Sequence, residues 1–306
     1  MDANEYRAQI DRILTRVRVR KPSDATDYAA HYTYSSVPRL MLDGNPASNC
    51  MRQYDGDYMN DPQEGRYLID VMIRCAKGCT HPQRERFVAS LFELQETRLL
   101  YSAYKKCTFL SCWTRSTVKP GQEHSADSLN HWRFYGENAA GSAIFVPTAH
   151  LVDYFGGALY EVSYGLELRG GGAGASNRPV KIFEDAFTAR INSLRTGPSH
   201  SSVDFQKLIV DTHPVLFLFK SSDYSSEREL RSVVHRDNYG PAQGVQFDQR
   251  EPPRKAFVSG GPGMICDGSL IFYGPKADEK LAIEVLGHAE SQNVRLSAFM
   301  SNKPYR

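Results

Sequence analysis

Hydrophobic residues at helical spacing dominate the first third of the chain. A short series predicts a helix over residues 4–17, and a longer one predicts a helix over 82–104. Between these two, four further apolar positions recur with the same spacing: Ile69, Met72, Ile73 and Ala76. We therefore expect a helical segment over about 60–105, in the N-terminal half of the chain.

Extended segments dominate the rest of the pattern. β-Branched and aromatic residues bounded by turn residues predict strands over 28–33, 107–113, 141–146, 158–164, 215–220, 230–235, 269–273 and 293–297. Helices are predicted over 180–194, 202–210 and 277–288. Because strands and helices do not alternate regularly, a doubly wound nucleotide-binding fold is disfavoured. We expect one α+β domain over 1–306, with a mixed or antiparallel β core into which the helical segment is inserted.

Two local motifs favour a structural interpretation. Asp61, Pro62 and Glu64 have the spacing of a helix start, with Asp61 as N-cap and Glu64 reaching back to a free amide. The glycine-rich stretch 169–176 lacks the Gly-Lys-Ser/Thr ending of a phosphate-binding loop, which favours an ordinary surface loop. Neither motif adds a candidate ligand site.

Composition and charge limit the classes of function. The chain has 306 residues, 41% of them hydrophobic, which is enough for a substantial core. With 37 Lys and Arg against 35 Asp and Glu, the electrostatic signature of a nucleic-acid-binding protein is weak. No apolar run is long enough for a membrane span or a signal peptide, so we expect a cytoplasmic protein without membrane association.

The cysteines indicate neither a disulfide framework nor a metal centre. The chain has six cysteines at irregular spacing, which fits a reducing compartment. Cys75 and Cys79 with His81 resemble half of a zinc site, but no second pair of ligands with comparable spacing follows. We expect no bound metal.

Charged residues at the start of one strand are the first candidates for chemistry. Glu227 and Glu229 stand at the beginning of the strand predicted over 230–235. We expect one of these carboxylates to enter a cleft and the other to face outward or toward a second substrate. Arg231 shares a strand face with Glu229, so it either pairs with that carboxylate or binds a pyrophosphate.

Trp132, Arg133 and Tyr135 form a second candidate group. Their rings and guanidinium are suited to stacking on a base and holding a phosphate, although a tryptophan at a helix end is more often part of a hydrophobic core. Both interpretations remain open at this point.

Five short motifs in a fixed order carry a resemblance to a known family. They are His31-Tyr32-Thr33, residues 59–64, Phe109-Leu110-Ser111, residues 127–136 with Gly141, and residues 227–231. This order resembles the bacterial family called domain of unknown function 2971, and the chain end over 301–306 is similar as well. The outline is more distantly similar to ADP-ribosyltransferases, which implies a related fold. In that comparison His31, Ser111 and Glu229 match the ligand-binding and catalytic positions, with Glu227 as the preceding carboxylate.

The resemblance implies an NAD-consuming enzyme. Glu229 would stabilise the positive charge that develops on the ribose when nicotinamide leaves, and Glu227 would orient an acceptor or support Glu229. His31 would hold a ribose hydroxyl or the nicotinamide amide, and Thr33 would line the same side of the strand.

In this interpretation NAD is the substrate and no metal is required. Ser111, Arg231, Trp132, Arg133 and Tyr135 would complete the NAD site. ADP-ribose would pass to an unknown acceptor, a protein or a nucleic acid, or to water, in the setting of an effector or a defence protein.

Two other functions stay open. The first is a non-catalytic sensor that binds a nucleotide or a protein through the Trp132 group, with Glu229 and Arg231 forming only a strand ion pair. The second is a nuclease. Paired metal-binding carboxylates would support it, but the sequence does not show such a pair.

Overall fold

The structure, a computed structural model, describes residues 1–43, 45, 48–59, 65–96, 107–118, 127–165, 178–248 and 254–303. It is an α+β fold built on one mostly antiparallel sheet. Four predicted or quoted segments lie outside the described residues: the helix start expected at 61–64, the end of the helix expected over 82–104 from residue 97 on, the glycine-rich stretch 169–176, and the last three residues.

The described part of the chain contains nine α-helices. They are α1 (Ala3–Val17), α2 (Val37–Met41), α3 (Arg66–Gly78), α4 (Arg84–Glu96), α5 (Leu129–Phe134), α6 (Thr148–Tyr154), α7 (Pro179–Asn192), α8 (Pro198–Thr212) and α9 (Lys280–Ser291). Local signals explain how α1 forms. Asp2 and Glu5 form a reciprocal capping box, and Tyr6, Ile10, Ile13 and Val17 bury one stripe of the helix.

The strands form one large sheet and one small one. They are β1 (Asp27–Thr33), β2 (Arg52–Asp55), β3 (Cys107–Thr117), β4 (Ser142–Pro147), β5 (Leu159–Glu161), β6 (Ser163–Gly165), β7 (Phe219–Ser221), β8 (Glu229–Arg236), β9 (Val245–Phe247), β10 (Ala256–Ser259), β11 (Leu270–Tyr273) and β12 (Ser297–Met300). The large sheet has the order β12-β11-β4-β1-β3-β2-β10-β9, with β8 and then β5 paired along the other edge of β3. Strands β6 and β7 pair in parallel as a separate ribbon.

Helices cover both faces of the large sheet. On the face that we call the α1 face, Leu110, Tyr160 and Val233 pack into a core made by α1, α3, α4, α7 and α8. On the opposite face, the α9 face, Trp113 and Ile144 pack with residues of α2, α6 and α9. A smaller apolar cluster around Trp132 of α5 covers β1, β4 and β11 on the α1 face. The sheet is therefore buried on both sides, which restricts any site to its rim or to its edges.

Most predicted elements are confirmed, and two are wrong. The segment 215–220, predicted as a strand, is largely a 3-10 helix over His213–Leu218, followed only by the short strand β7. Pro214 stands in the first turn, and a short apolar run between breakers fits a buried helical turn as well as a strand. The strand predicted over 293–297 begins at Ser297 instead, because α9 runs on to Ser291. The elements α2, α5, α6, β2, β9 and β10 were not predicted.

Candidate functional site

Five polar residues meet at the rim of the α1 face. We call this group, Tyr135, Lys220, Glu227, Glu229 and Arg231, the polar cluster. They come from four places in the fold: the end of α5, strand β7, the turn before β8, and β8 itself. Charged side chains are rarely buried without partners of opposite charge or hydrogen bonds. The partners of each of these residues therefore have to be identified.

Glu229 and Arg231 form a bidentate ion pair at the base of the cluster. The guanidinium Nε lies 2.7 Å from Glu229 Oε1, and Nη2 lies 2.9 Å from Oε2. The Arg231 side chain is 0% exposed and also donates to the carbonyl oxygen of Phe217. Burial alone would raise the pKa of Glu229, but the charges of Arg231 and Lys220 outweigh it and hold that pKa well below its ordinary value. Glu229 is therefore an ionised, saturated carboxylate.

Lys220 links the two glutamates. Its ammonium Nζ lies 2.9 Å from Glu229 Oε2 and 3.0 Å from Glu227 Oε2. The expectation that the two carboxylates would be divided between a cleft and a second side is therefore wrong, because both reach the same cation. Glu227 is the outer one, with a side chain 17% exposed against 6% for Glu229. Tyr135, 45% exposed, donates its hydroxyl to Glu227 Oε1 at 2.6 Å.

The backbone around these residues is strained. Arg228, between the two glutamates, adopts a left-handed conformation with φ 47° and ψ 48°. Just after Tyr135, three successive residues that are not glycine also have positive φ: Glu137, Asn138 and Ala139. Such conformations cost about 1 to 3 kcal/mol each and are concentrated at functional sites. Two strained turns thus flank the polar cluster.

His131 adjoins the polar cluster and was not among the predicted site residues. Its ring stacks on Tyr32 with centroids 5.4 Å apart and lies 6.1 Å from the ring of Tyr135. The side chain is 8% exposed, and its Nε2 has no hydrogen-bond partner among the described residues. Burial lowers the pKa of His131, while the charge of Glu227 acts in the opposite direction. The only sequence signal was its place in the motif over 127–136.

His31 lies on the other face of the sheet from Glu229. The register pairs Ala30 with Thr114, and Thr114 with Glu229, so these three side chains share the α1 face. His31 follows Ala30 on the strand and therefore points to the α9 face, where its ring lies 5.3 Å from that of Trp113. Because a fully hydrogen-bonded sheet separates the two side chains, they form no common pocket.

The surroundings of His31 explain it as a structural residue. Its Nδ1 lies 2.9 Å from the carbonyl oxygen of Cys112, and burial lowers the pKa of the ring. Thr33 is on the same strand face as His31 and is likewise separated from the polar cluster. The predicted shared cleft of His31, Thr33 and Glu229 is therefore wrong.

Ser111 also lies on the α9 face, in a buried hydrogen-bond network. Its register partner is Ser232, and their hydroxyl oxygens are 2.5 Å apart. The indole Nε1 of Trp113 donates to Ser111 Oγ at 3.0 Å, and the Gln53 amide donates to Ser232 Oγ at 2.8 Å. This network occupies Ser111 on the face opposite the polar cluster, so the structure does not bring it into the predicted NAD site.

The group of Trp132, Arg133 and Tyr135 divides between core and surface. Trp132 is fully buried in the core cluster on β1 and β4 and donates its indole Nε1 to Asp127 at 2.6 Å. It therefore offers no free face for stacking on a ligand. Arg133 is exposed, and only Tyr135 reaches the polar cluster. The core interpretation holds for Trp132, whereas Tyr135 remains a candidate ligand residue.

A concave surface away from the polar cluster lies between two helices of the α1 face. A shallow groove of about 460 Å³ between α3 and α4 is lined by Lys77, Arg84, Glu85, Val88, Ala89 and Phe92, none of which belongs to the polar cluster. Within the described ranges, no three histidine, cysteine or acidic side chains are grouped as a metal site requires. None of the helices described is long and apolar enough to cross a membrane.

Comparisons with protein-family models, with curated proteins and with solved structures find no match for this chain.

Proposed function

We propose that the protein cleaves the bond between nicotinamide and ribose in NAD, with Glu227 as the carboxylate that faces the ribose. One observation carries this assignment: Glu227 is the carboxylate of the polar cluster that reaches the surface, and among the described residues one of its oxygens is held only by the half-exposed side chain of Tyr135. A carboxylate accelerates this reaction only if it approaches the sugar as positive charge develops.

Glu229 is unsuited to that role. Arg231 and Lys220 already engage both of its oxygens, so contact with a ribose would require breaking buried ion pairs. We assign Glu229 and Arg231 to hold Lys220, which in turn positions Glu227. The roles of the two glutamates are thereby exchanged relative to those that the sequence resemblance implied, and His31 and Ser111 take no part in the reaction.

The choice of NAD comes from the order of the sequence motifs. Their similarity to ADP-ribosyltransferases, together with a mostly antiparallel sheet, supports a distant form of that fold. Nicotinamide leaves as a neutral molecule, so the reaction needs one carboxylate and no acid to protonate the leaving group. The acceptor of ADP-ribose would be a protein, a nucleic acid or water.

The test is the release of nicotinamide from NAD by the purified protein. We expect release by the wild type and a loss of at least about 100-fold in kcat for Glu227→Gln. The assay is run at a temperature at which both proteins are folded, because the change also removes one of the two carboxylates that pair with Lys220. The matched control is Glu184→Gln, which removes another half-buried glutamate facing an arginine, 3.9 Å away, on the surface of α7. Full activity of Glu227→Gln would overturn its role, and no release by the wild type would overturn the enzyme.

A non-catalytic sensor is the second candidate, and the saturated Glu229–Arg231 pair favours it. Buried ion pairs of this kind commonly fix a structure without taking part in chemistry. A sensor of this kind would bind NAD or another nucleotide at the polar cluster and release no nicotinamide. Calorimetric titration of NAD into the wild type and into Glu227→Gln separates the two functions, because binding without cleavage identifies the sensor.

A further inference from the structure

One ring nitrogen of the buried His131, Nε2, has no hydrogen-bond partner among the described residues. Ser128 caps α5 by accepting the backbone N–H of His131 on its hydroxyl oxygen, which also contacts His131 Nδ1. The Ser128 hydroxyl can donate to Nδ1 or accept from it with its second lone pair, and we assign the arrangement in which it donates. The remaining ring proton is then on Nε2, the atom without a partner.

A buried hydrogen-bond donor without a partner lowers the stability of the folded protein, so its presence suggests that a ligand supplies the partner. Leaving such a group unpaired costs as much as removing one partner of a buried hydrogen bond, so buried donors in native proteins nearly always have acceptors. Burial also keeps His131 neutral at pH 7, because its pKa is lowered. A neutral donor tolerates a positively charged ligand beside it, whereas an imidazolium would repel one.

Tyr135 adjoins both His131 and Glu227. Its half-exposed ring lies beside His131, and its hydroxyl is bound to Glu227. Rotation of Tyr135 toward solvent would free one oxygen of Glu227 and leave a flat space against the imidazole, next to Tyr32. A planar ring fits such a space, and a cationic ring would gain from the carboxylate and from the tyrosine faces.

We infer that His131 Nε2 donates a hydrogen bond to the carboxamide oxygen of a pyridine carboxamide, whose ring replaces that of Tyr135. This inference rests on the proposed function, since it identifies the part of NAD that enters the polar cluster. It makes His131 a specificity residue: the hydrogen bond selects the carboxamide, and the pyridinium charge lies close to Glu227 before the bond to ribose breaks. His131 itself transfers no proton.

The test uses nicotinamide and 3-methylpyridine, which has a similar ring without the carbonyl group. Imidazole resonances of the wild type are followed by ¹⁵N NMR as each compound is added, and that of His131 is assigned by its loss in His131→Phe. We expect nicotinamide to shift the His131 Nε2 resonance and to bind about tenfold more weakly to His131→Phe. Binding of 3-methylpyridine is expected to be the same in both proteins. His288→Phe, a surface variant on α9, is the control.

A second readout separates this inference from the proposed function. In His131→Phe we expect the KM for NAD to rise about tenfold with kcat nearly unchanged, because the hydrogen bond is present both before and during cleavage. If the wild type cleaves NAD but nicotinamide leaves the His131 resonance and the variant's affinity unchanged, the inference is overturned and the function stands. If nicotinamide binds at His131 but NAD is not cleaved, the inference stands without the enzyme. If nothing binds and nothing is cleaved, both are overturned.

Discussion

Glu229→Gln is expected to destabilise the protein strongly, whatever the protein does. The change keeps the side-chain shape and removes the charge that compensates Arg231, which is 0% exposed, and half of the charge that compensates Lys220. Breaking a buried pair by removing one partner costs about 3 to 5 kcal/mol. With a slope near 3 kcal/mol per molar urea, as expected for a chain of this size, the unfolding midpoint should fall by about 1 to 2 M.

Urea unfolding followed by tryptophan fluorescence measures this change. The control is Asp185→Asn, which breaks the exposed i,i+4 pair of Asp185 with Lys181 and should cost less than about 0.5 kcal/mol. The double change Glu229→Leu with Arg231→Met removes both buried charges and should recover most of the lost stability. If Glu229→Gln costs no more than the control, the buried ion pair is not what holds the base of the polar cluster.

Three further outcomes follow from the described contacts. The free energy of unfolding should differ fully between the wild type and Glu229→Gln above about pH 4.5, because the pKa of Glu229 is lower in the folded protein than in the unfolded chain. The difference should shrink as the pH falls from there toward 2. A difference independent of pH in urea titrations would contradict this. Ser111→Ala should cost about 1 to 3 kcal/mol, because it leaves the buried Trp113 indole without an acceptor, yet nicotinamide release should not change. Gly274→Ala should destabilise the protein by more than about 1 kcal/mol, because the new Cβ would lie 2.4 Å from a backbone oxygen. Gly287→Ala, at a helical position with open space around it, should stabilise the protein by about 0.5 to 1 kcal/mol. Equal melting temperatures of the two variants would contradict both expectations.

The local elements were predictable because their signals are local. The N-terminal helix has its capping box and its apolar stripe within a single segment, and β1, β3 and β8 contain aromatic or β-branched residues. The short elements had weaker signals. Strands β2, β9 and β10 are three or four residues long and gain their stability from neighbours that are distant in sequence.

The site was predicted in part, and the reason lies in strand register. Alternation along one strand shows which of its residues share a face, so His31 with Thr33 and Glu229 with Arg231 were each paired correctly. Whether His31 and Glu229 share a face depends on how β1, β3 and β8 are aligned, and a shift by one residue would exchange the faces. The sequence of one chain contains no measure of that alignment, and the actual register places Ala30 on the side of Glu229.

Lys220 and His131 were missed for a related reason. Neither residue belongs to a sequence signature of its own, and each becomes notable only through what surrounds it: two carboxylates for the lysine, and an unused ring nitrogen for the histidine. Contacts between segments far apart along the chain decide such environments. Residue type and spacing therefore indicate the carboxylates of the polar cluster but not Lys220 and His131, which adjoin them.

Glu227, in the turn before β8, and Glu229, in β8, illustrate how a buried charge can make a neighbouring one available. Glu229 is held on both oxygens, so it contributes stability and orientation but cannot respond to a developing charge on a substrate. The left-handed Arg228 turns the chain at this point, so that Glu227 leaves the strand and meets Lys220 from the outer side. Lys220 is then shared, and Glu227 keeps one oxygen whose hydrogen-bond partner, within the described ranges, is the Tyr135 hydroxyl alone. The strained backbone at Arg228 thus separates a fixed carboxylate, Glu229, from an accessible one, Glu227. Such an arrangement keeps the framework of a site rigid and leaves one group free to contact a ligand.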